Sequence, residues 1–201
     1  MAEIAVDVVL LPSEEMSDKA MAANKELLKQ CPGKIVLDKE SCLPHLSLAM
    51  GCINERDLAD IEKILQTIAK QSSLGQLNII GIHTETNSAG EQVSVVQIER
   101  TEALQSLHEE VMRRLAPYFN YEVTADMVLR PPGASESTLA WIKSYSEKSS
   151  FEKFFPHITI GYGEINNFSF PIKFAASKLA LCHLGNHCTC RRILASAELK
   201  G

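Results

Sequence analysis

The chain has 201 residues, of which 45% are hydrophobic and 22% charged, and this composition is typical of a globular protein rather than a disordered or fibrous one. A chain of this length buries roughly 70% of the surface that its unfolded form exposes. We therefore expect one domain, or two closely joined lobes, whose core needs neither a metal nor a disulfide.

The charge balance argues against a partner such as long duplex nucleic acid. Twenty Lys and Arg face 25 Asp and Glu, which gives a net charge of −5. The basic runs are no longer than the pairs Arg113-Arg114 and Arg191-Arg192, so a broad basic face is not expected. A short RNA end or a small nucleotide, held by a few local donors, remains compatible with this charge.

Cysteine usage and hydropathy predict a soluble cytoplasmic protein with no membrane partner. The six cysteines are too few and too unevenly spaced for the disulfide framework of a secreted domain. The opening residues MAEIAVD carry acids where a signal peptide has a basic region. The apolar runs fall short of the roughly 20 residues of a membrane span.

Hydrophobic periodicity and helix-capping residues predict the elements of the chain in order. They are a strand over 4–11, a helix from Ser13 ending at Cys31-Pro32-Gly33, strands over 34–37 and 45–53, a helix capped by Asn54, two strands between 76 and 99 joined at 87–90, a helix capped by Thr101, a long loop over 117–137 with room for one short strand, a helix over 137–146, a strand over 157–163, and a closing hairpin over 172–199 that turns at Gly185-Asn186. Because hairpins replace a strict βαβ alternation, the pattern favours an α+β fold over a doubly wound parallel sheet.

One pattern, Pro-His-apolar-hydroxyl-apolar-x-x-Gly, occurs twice, at 44–51 and again at 156–163. Side chains alternate faces along a strand, so His45 and Ser47 should share one face, as should His157 and Thr159. The repetition suggests an internal duplication that brings two equivalent strands together about a pseudo-twofold axis. By the same alternation, the small residues that follow, at positions 49 and 161, should form a shallow floor beside the histidines.

Two imidazoles and two hydroxyls in one cleft suit phosphodiester chemistry. One neutral imidazole accepts a proton from the attacking oxygen while the other, protonated, donates one to the leaving oxygen. The hydroxyls of Ser47 and Thr159 can donate hydrogen bonds to the non-bridging phosphate oxygens. The chemistry needs no metal and no cofactor, and the sequence does not say which histidine is the base.

These residues resemble the two-histidine phosphoesterases, whose hallmark is a pair of His-x-Ser/Thr-x (HxTx) motifs with apolar x; here they are His45-Leu46-Ser47-Leu48 and His157-Ile158-Thr159-Ile160. The superfamily includes the RNA 2′,3′-cyclic phosphodiesterases historically called 2′-5′ RNA ligases. The resemblance implies a bilobal α+β domain over residues 1–201, with pseudo-twofold duplicated antiparallel sheets flanked by helices and a central cleft.

The resemblance also implies an activity. His45 and His157 would be catalytic, and Ser47 and Thr159 would bind phosphate. The substrates would be 2′,3′-cyclic or 2′-5′ phosphodiester bonds of RNA ends or small nucleotides, acted on by a monomer. The alternative is a module that binds nucleotides or RNA ends in the same cleft without turnover.

Three further residues are candidate contacts near this site. Asp7 is costly to bury unpaired in an apolar strand, so it either reaches the cleft and orients a histidine or lies near a sheet edge. Arg130 suits phosphate through its guanidinium geometry, with surface solvation as the alternative. Tyr162 either stacks on a base or belongs to the core.

Two other features are interpreted as structural. The segment 182–190 holds three Cys and two His in nine positions but lacks Cys-x-x-Cys spacing. We therefore expect reduced, partly buried thiols there, with structural zinc as the alternative. His108 lies in a charged stretch of a helix and is expected to be solvated.

Overall fold

The computed structural model describes residues 2–87, 90–129, 133–165 and 168–199. Within these ranges the chain forms seven strands and four α-helices. In chain order they are β1 (Glu3–Pro12), α1 (Glu14–Leu28), β2 (Leu46–Asn54), α2 (Leu58–Gln71), β3 (Gln76–Thr86), β4 (Gln92–Ile98), α3 (Glu102–Leu115), α4 (Glu136–Lys148), β5 (His157–Tyr162), β6 (Lys173–Leu184) and β7 (Cys190–Glu198).

The strands form one seven-stranded sheet in the order β1-β2-β5-β4-β3-β6-β7, and β1 also pairs with β6. Every pairing among these described strands is antiparallel, so the α+β prediction is confirmed. The two motif strands, β2 and β5, are neighbours and meet at the residue pair Leu46–Ile158. The pseudo-twofold duplication stays a prediction.

The apolar side of each motif strand faces the core, as the alternation predicts. Leu46, Leu48, Ile158 and Ile160 are buried, whereas the His and hydroxyl residues between them are partly exposed. Helix α1 packs against β5 and α3 packs against β2. Burial of these aliphatic side chains stabilises the fold by about 1.5–3 kcal/mol each, and it fixes which face of each strand is left for polar groups.

The predicted capping residues lie at the helix starts. Ser13 precedes α1, and the Thr101 side chain accepts a hydrogen bond from the Leu104 N–H at the start of α3. Asn54 accepts from the Arg56 N–H and opens a short 3₁₀ turn before α2. Thr101 and Asn54 thus accept hydrogen bonds from backbone N–H groups that a first helical turn leaves unpaired. Ser13 makes no such hydrogen bond with its side chain.

The predicted strand over 34–37 is wrong, and the long loop over 117–137 contains no strand among its described residues. Residues 34–37 form no strand, because the buried Asn24 side chain takes their backbone groups, donating to the Ile35 carbonyl and accepting from the Leu37 N–H. The described part of the 117–137 loop contains a 3₁₀ turn at Ala125–Met127 and a single bridge to Cys52 in place of a strand. The predicted turn at 87–90 is only partly visible, since residues 88 and 89 lie outside the described residues.

None of the helices in the described part of the chain combines the length and the apolar character that crossing a bilayer requires.

Candidate active site

The two motif histidines lie at the junction of β2 and β5. His45 directly precedes β2 and His157 begins β5. Because the strands run in opposite directions about the Leu46–Ile158 pair, His45 is on the side of Thr159, and Ser47 is on the side of His157. All four predicted motif residues are therefore brought to one place on the sheet.

Both imidazoles are anchored in the same way. The Nδ1 of His45 donates to the Leu43 carbonyl at 2.7 Å, and the Nδ1 of His157 donates to the Phe155 carbonyl at 2.8 Å. Since a carbonyl oxygen only accepts, the proton of each neutral ring lies on Nδ1. Each ring therefore keeps Nε2 as the atom that gains or loses a proton.

The electrostatic surroundings of the two rings differ. Burial lowers the pKa of His45; the backbone hydrogen bond to Leu43 opposes this, and the charge of His157 lowers it further. Burial also lowers the pKa of His157, but the Phe155 carbonyl and the nearby Glu85 carboxylate raise it. The net shift is downward for both rings, and only the shift of His157 is opposed by a nearby carboxylate, that of Glu85.

Asp7 lies beside the first motif. Strand β1 sits between β2 and β6, so the sheet-edge interpretation of Asp7 is wrong. Its Oδ2 accepts a hydrogen bond from the Ser47 hydroxyl at 2.6 Å and lies 4.0 Å from the His45 Nε2. Its Oδ1 is also buried, and the Ala49 backbone N–H interacts with the carboxyl group and lowers its pKa.

Burial raises the pKa of the Asp7 carboxyl well above its ordinary value, against the opposing hydrogen bond from Ser47. Burial shifts the equilibrium toward the neutral acid, because a buried charge loses its hydration. A neutral Asp7 can donate its own proton to the Ser47 oxygen, which frees the serine hydroxyl proton for another acceptor.

Each motif strand contains a β-bulge at the same motif position. Opposite β1 the register passes from Ser47 to Ala49, and opposite β4 it passes from Thr159 to Gly161. The extra residue of each strand, Leu48 or Ile160, faces no partner in these ladders. A bulge places two residues against one and re-aims the side chains that follow.

The bulges overturn the predicted floor of small residues. Ala49 pairs with the core residue Val8, and a Cβ on Gly161 would lie 2.8 Å from the Asn24 Nδ2 on helix α1. Both small residues therefore face the helices. The next residues, Met50 and Tyr162, return to the face of the histidines.

Of the two remaining candidate contacts, Tyr162 and Arg130, the structure describes only Tyr162. The Tyr162 hydroxyl lies 3.0 Å from the His187 Nδ1, and the Lys34 Nζ lies 4.6 Å from the centre of the tyrosine ring. Tyr162 thus belongs to a polar cluster at the end of the second motif. Arg130 lies outside the described residues.

The chain resembles known proteins in structure and not in sequence. No family model matches it, and no curated protein does. Among the solved structures that resemble it are E. coli LigT in the apo form, with a TM-score of 0.63, and a phosphoesterase, with a TM-score of 0.53. Each is 14% identical to the chain, and each match covers 100% of both chains. The chain has the LigT fold.

Within this LigT fold, the prediction for His108 is wrong. His108 is fully buried; its Nδ1 donates to the Leu48 carbonyl at 2.6 Å, and its Nε2 accepts from the Phe151 N–H at 2.7 Å. Its ring also stacks on Phe154 at 4.0 Å between centroids. The charged residues next to His108 in sequence lie on the outer face of α3. His108 shares the helical spacing of the buried residues Leu104 and Val111, and this spacing was the one signal in the sequence that it points inward.

The prediction of reduced thiols at 182–190 is also wrong in part. Cys182 and Cys190 form a disulfide between β6 and β7; their Cα atoms are 5.5 Å apart, which suits a disulfide. Cys188 is free, and burial raises its pKa. Among the described residues no group of three or more His, Cys, Asp or Glu is arranged to hold a metal ion.

Two surface pockets of the LigT fold, of about 390 and 370 Å³, lie away from the motif residues. The first is lined by aromatic residues of the loops around α3, including Phe119, Tyr121 and Phe151. The second lies between α2 and α3, beside Leu74.

Proposed function

We propose that this protein is a two-histidine phosphoesterase that hydrolyses 2′,3′-cyclic or 2′-5′ phosphodiester bonds of RNA ends or small nucleotides without a metal. The observation that carries the proposal is the matched pair of imidazoles, each anchored through Nδ1 and each with Nε2 free to move a proton. The fold shared with LigT and with a phosphoesterase supports the reaction class.

From the difference in electrostatic surroundings, we infer which histidine takes which role. His45, whose pKa is lowered by burial and by the other imidazole, acts as the base. It accepts a proton from water as the water oxygen forms a bond to phosphorus. His157, which Glu85 helps to keep protonated, donates the Nε2 proton to the ribose oxygen as its bond to phosphorus breaks.

The hydroxyl residues hold the charge that develops on the non-bridging oxygens. Thr159 donates directly, and Ser47 donates when the neutral Asp7 supplies a proton to its oxygen. Hydrogen-bond donors placed before the reaction stabilise the transition state without reorganisation. We further propose that the protein works as a cytoplasmic monomer and that its partners are nucleotides or single-stranded RNA ends rather than long duplexes or membranes.

Single substitutions test the mechanism. We expect His45→Ala and His157→Ala each to lower kcat for a nucleoside 2′,3′-cyclic phosphate by about 10²- to 10⁴-fold, the usual contribution of a general acid or base. Gln66→Ala, at an exposed position of α2, is the control and should keep most of the wild-type rate. Circular dichroism and urea unfolding would verify that all three variants are folded.

The same assay separates catalysis from binding alone. Calorimetry with AMP or a short RNA that shows tight binding, together with no turnover by the wild-type protein, would favour the non-catalytic module. Full activity in either alanine variant would contradict the assigned mechanism.

A further inference from the structure

The bulge of the second motif is held by a buried side chain of α1. Asn24 is 1% exposed, and its Nδ2 donates to the carbonyl of the bulged residue Ile160 at 2.7 Å. The same amide donates to the Ile35 carbonyl and accepts from the Leu37 N–H, each at 3.0 Å. Asn24 thus connects the bulge of one motif to the segment that leads into the other motif.

That segment is connected onward to His45 by hydrogen bonds. Leu37 precedes Asp38, whose Oδ1 accepts from the backbone N–H groups of residues 40, 41 and 42 and whose own N–H donates to the Cys42 carbonyl at 2.9 Å. The next residue is Leu43, whose carbonyl anchors the His45 ring. The position of His45 therefore depends on the segment that Asn24 holds.

The bulge of the first motif is held in the corresponding way from α3. The carbonyl of the bulged residue Leu48 accepts from the His108 Nδ1 at 2.6 Å. The His108 Nε2 accepts from the Phe151 N–H, and its ring stacks on Phe154. Phe154 directly precedes Phe155, whose carbonyl anchors the His157 ring.

The two side chains thus have reciprocal connections. Asn24 bonds the bulge of the His157 strand and the approach to His45, whereas His108 bonds the bulge of the His45 strand and the approach to His157. We propose that Asn24 and His108 are positioning residues that hold both imidazoles at the distance and orientation needed to act on one phosphorus atom; this rests on the proposed function.

The physical reason lies in the bulged carbonyls. A bulged residue has lost its ladder partner, and a buried carbonyl that lacks any partner is unfavourable. Without its donor, each bulge would be driven to slip back into register. The slip would turn Ser47 or Thr159, and with it the neighbouring histidine, away from the shared site, because a one-residue shift exchanges the faces of a strand.

The test compares variants of the two anchors with a core variant of α2. Asn24→Leu and His108→Leu remove all of the anchor hydrogen bonds, whereas His108→Asn keeps a donor near the Leu48 carbonyl. Leu65→Ala is the control, because Leu65 is fully buried in α2, which packs against β7 and α3 rather than the motif strands. The activity is measured with a nucleoside 2′,3′-cyclic phosphate at a temperature where every variant is folded.

We expect kcat to fall about 10- to 100-fold in Asn24→Leu and His108→Leu with a smaller change in KM, as misplaced catalytic groups produce. His108→Asn should recover part of the lost kcat, and Leu65→Ala should keep a kcat near the wild-type value. Equal losses of kcat in the anchor variants and in Leu65→Ala would overturn the proposal.

A second measurement does not depend on turnover. Long-range ¹H–¹⁵N spectra report the tautomer and surroundings of the His45 and His157 rings, and we expect both sets of signals to move in the anchor variants but not in Leu65→Ala. Unmoved ring signals in folded His108→Leu and Asn24→Leu variants would overturn the positioning role. An inactive wild-type protein would instead refute the proposed function, while the spectra would still decide whether Asn24 and His108 position the rings.

Discussion

His45 and His157 have the same backbone anchor but different charged neighbours. Two adjacent imidazoles repel each other when both are charged, so the pair favours one proton shared between two unequal rings. Glu85 stabilises the charged form of His157, and the burial of His45 favours its neutral form. At the scale of single residues, the proposed division into acid and base rests on this inequality.

Glu85→Gln tests this assignment through the pH dependence of kcat/KM. If His157 is the acid, the alkaline limb of the profile reports the pKa at which the protonated His157 loses its proton. Removing the Glu85 carboxylate lowers this pKa. We expect the alkaline limb to move to lower pH by a few tenths of a pH unit, because Glu85 is more than half exposed and solvent screens its charge.

Glu122→Gln, at an exposed position outside the helices and strands, should leave both limbs of the profile in place. A shift of the acidic limb in Glu85→Gln would mean that His157 is the base and that the assigned roles are reversed.

Asp7→Asn tests the ionisation of the buried carboxyl. The folded-state pKa of Asp7 is raised, so its neutral form stabilises the fold below the unfolded pKa of about 3.9, and this stability is lost as the pH rises through the folded pKa. We expect the free energy of unfolding of Asp7→Asn minus that of wild type to increase with pH above about 4. Urea unfolding between pH 4 and 8 measures this difference, and a difference that does not vary with pH would contradict a raised pKa.

At the scale of secondary-structure elements, the two bulges determine which residues share a face with the histidines. A regular strand would place Ala49 and Gly161 beside the hydroxyl residues. The extra residue in each strand sends them toward the helices and returns Met50 and Tyr162 to the polar face. Each bulge also turns a carbonyl toward its donor. The Leu48 carbonyl accepts from His108, and the Ile160 carbonyl accepts from Asn24.

Gly161→Ala tests the second bulge. Gly161 has a φ of +153°, which side-chain-bearing residues rarely adopt, and the added Cβ would lie 2.8 Å from the Asn24 Nδ2. We expect a loss of about 1–3 kcal/mol in the free energy of unfolding, from backbone strain and from disruption of the Asn24 hydrogen bonds.

Gly81→Ala is the matched control, since Gly81 also lies in a strand but an added Cβ has no atom within 4 Å. Its stability should stay within about 0.5 kcal/mol of wild type. Similar losses in both variants, measured by urea unfolding, would show that the conformation of Gly161 is not special.

At the scale of the whole molecule, the net charge of −5 sets an expectation for the proposed binding of RNA ends. Each phosphate contact adds to the salt dependence of binding, because neutralising a phosphate releases counterions. A protein that grips only the terminal phosphate makes few such contacts. Binding should therefore depend weakly on salt and on the length of the RNA.

RNAs of different length test this expectation. We expect a single-stranded 20-nucleotide RNA that ends in a 2′,3′-cyclic phosphate to have a KM close to that of a dinucleotide with the same end. The plot of log KM against log salt should have a slope with a magnitude of about 1, as one or two phosphate contacts produce. A steep salt dependence, or a KM that falls strongly with RNA length, would indicate an extended RNA-binding surface.

Much of the fold could be predicted from local sequence. Aliphatic runs and capping residues such as Ser13 and Thr101 located most strands and helices, because hydrophobic periodicity and orphan backbone donors are local properties. The predictions failed where a distant side chain replaced the expected partner: Asn24 takes the backbone groups of residues 35–37, and His108 serves a carbonyl sixty positions away.

Part of the candidate site, likewise, could be predicted from local sequence, and part could not. The repeated motif by itself determined that His45, Ser47, His157 and Thr159 form two equivalent sets, since alternation along a strand depends only on the order of residues. Only the tertiary structure decided that these sets adjoin at the Leu46–Ile158 pair, that bulges exclude Ala49 and Gly161 from the polar face, and that Asp7 lies beside Ser47. Register, burial and charge at a point in space depend on residues far apart in the chain, and no local pattern specifies which of them meet.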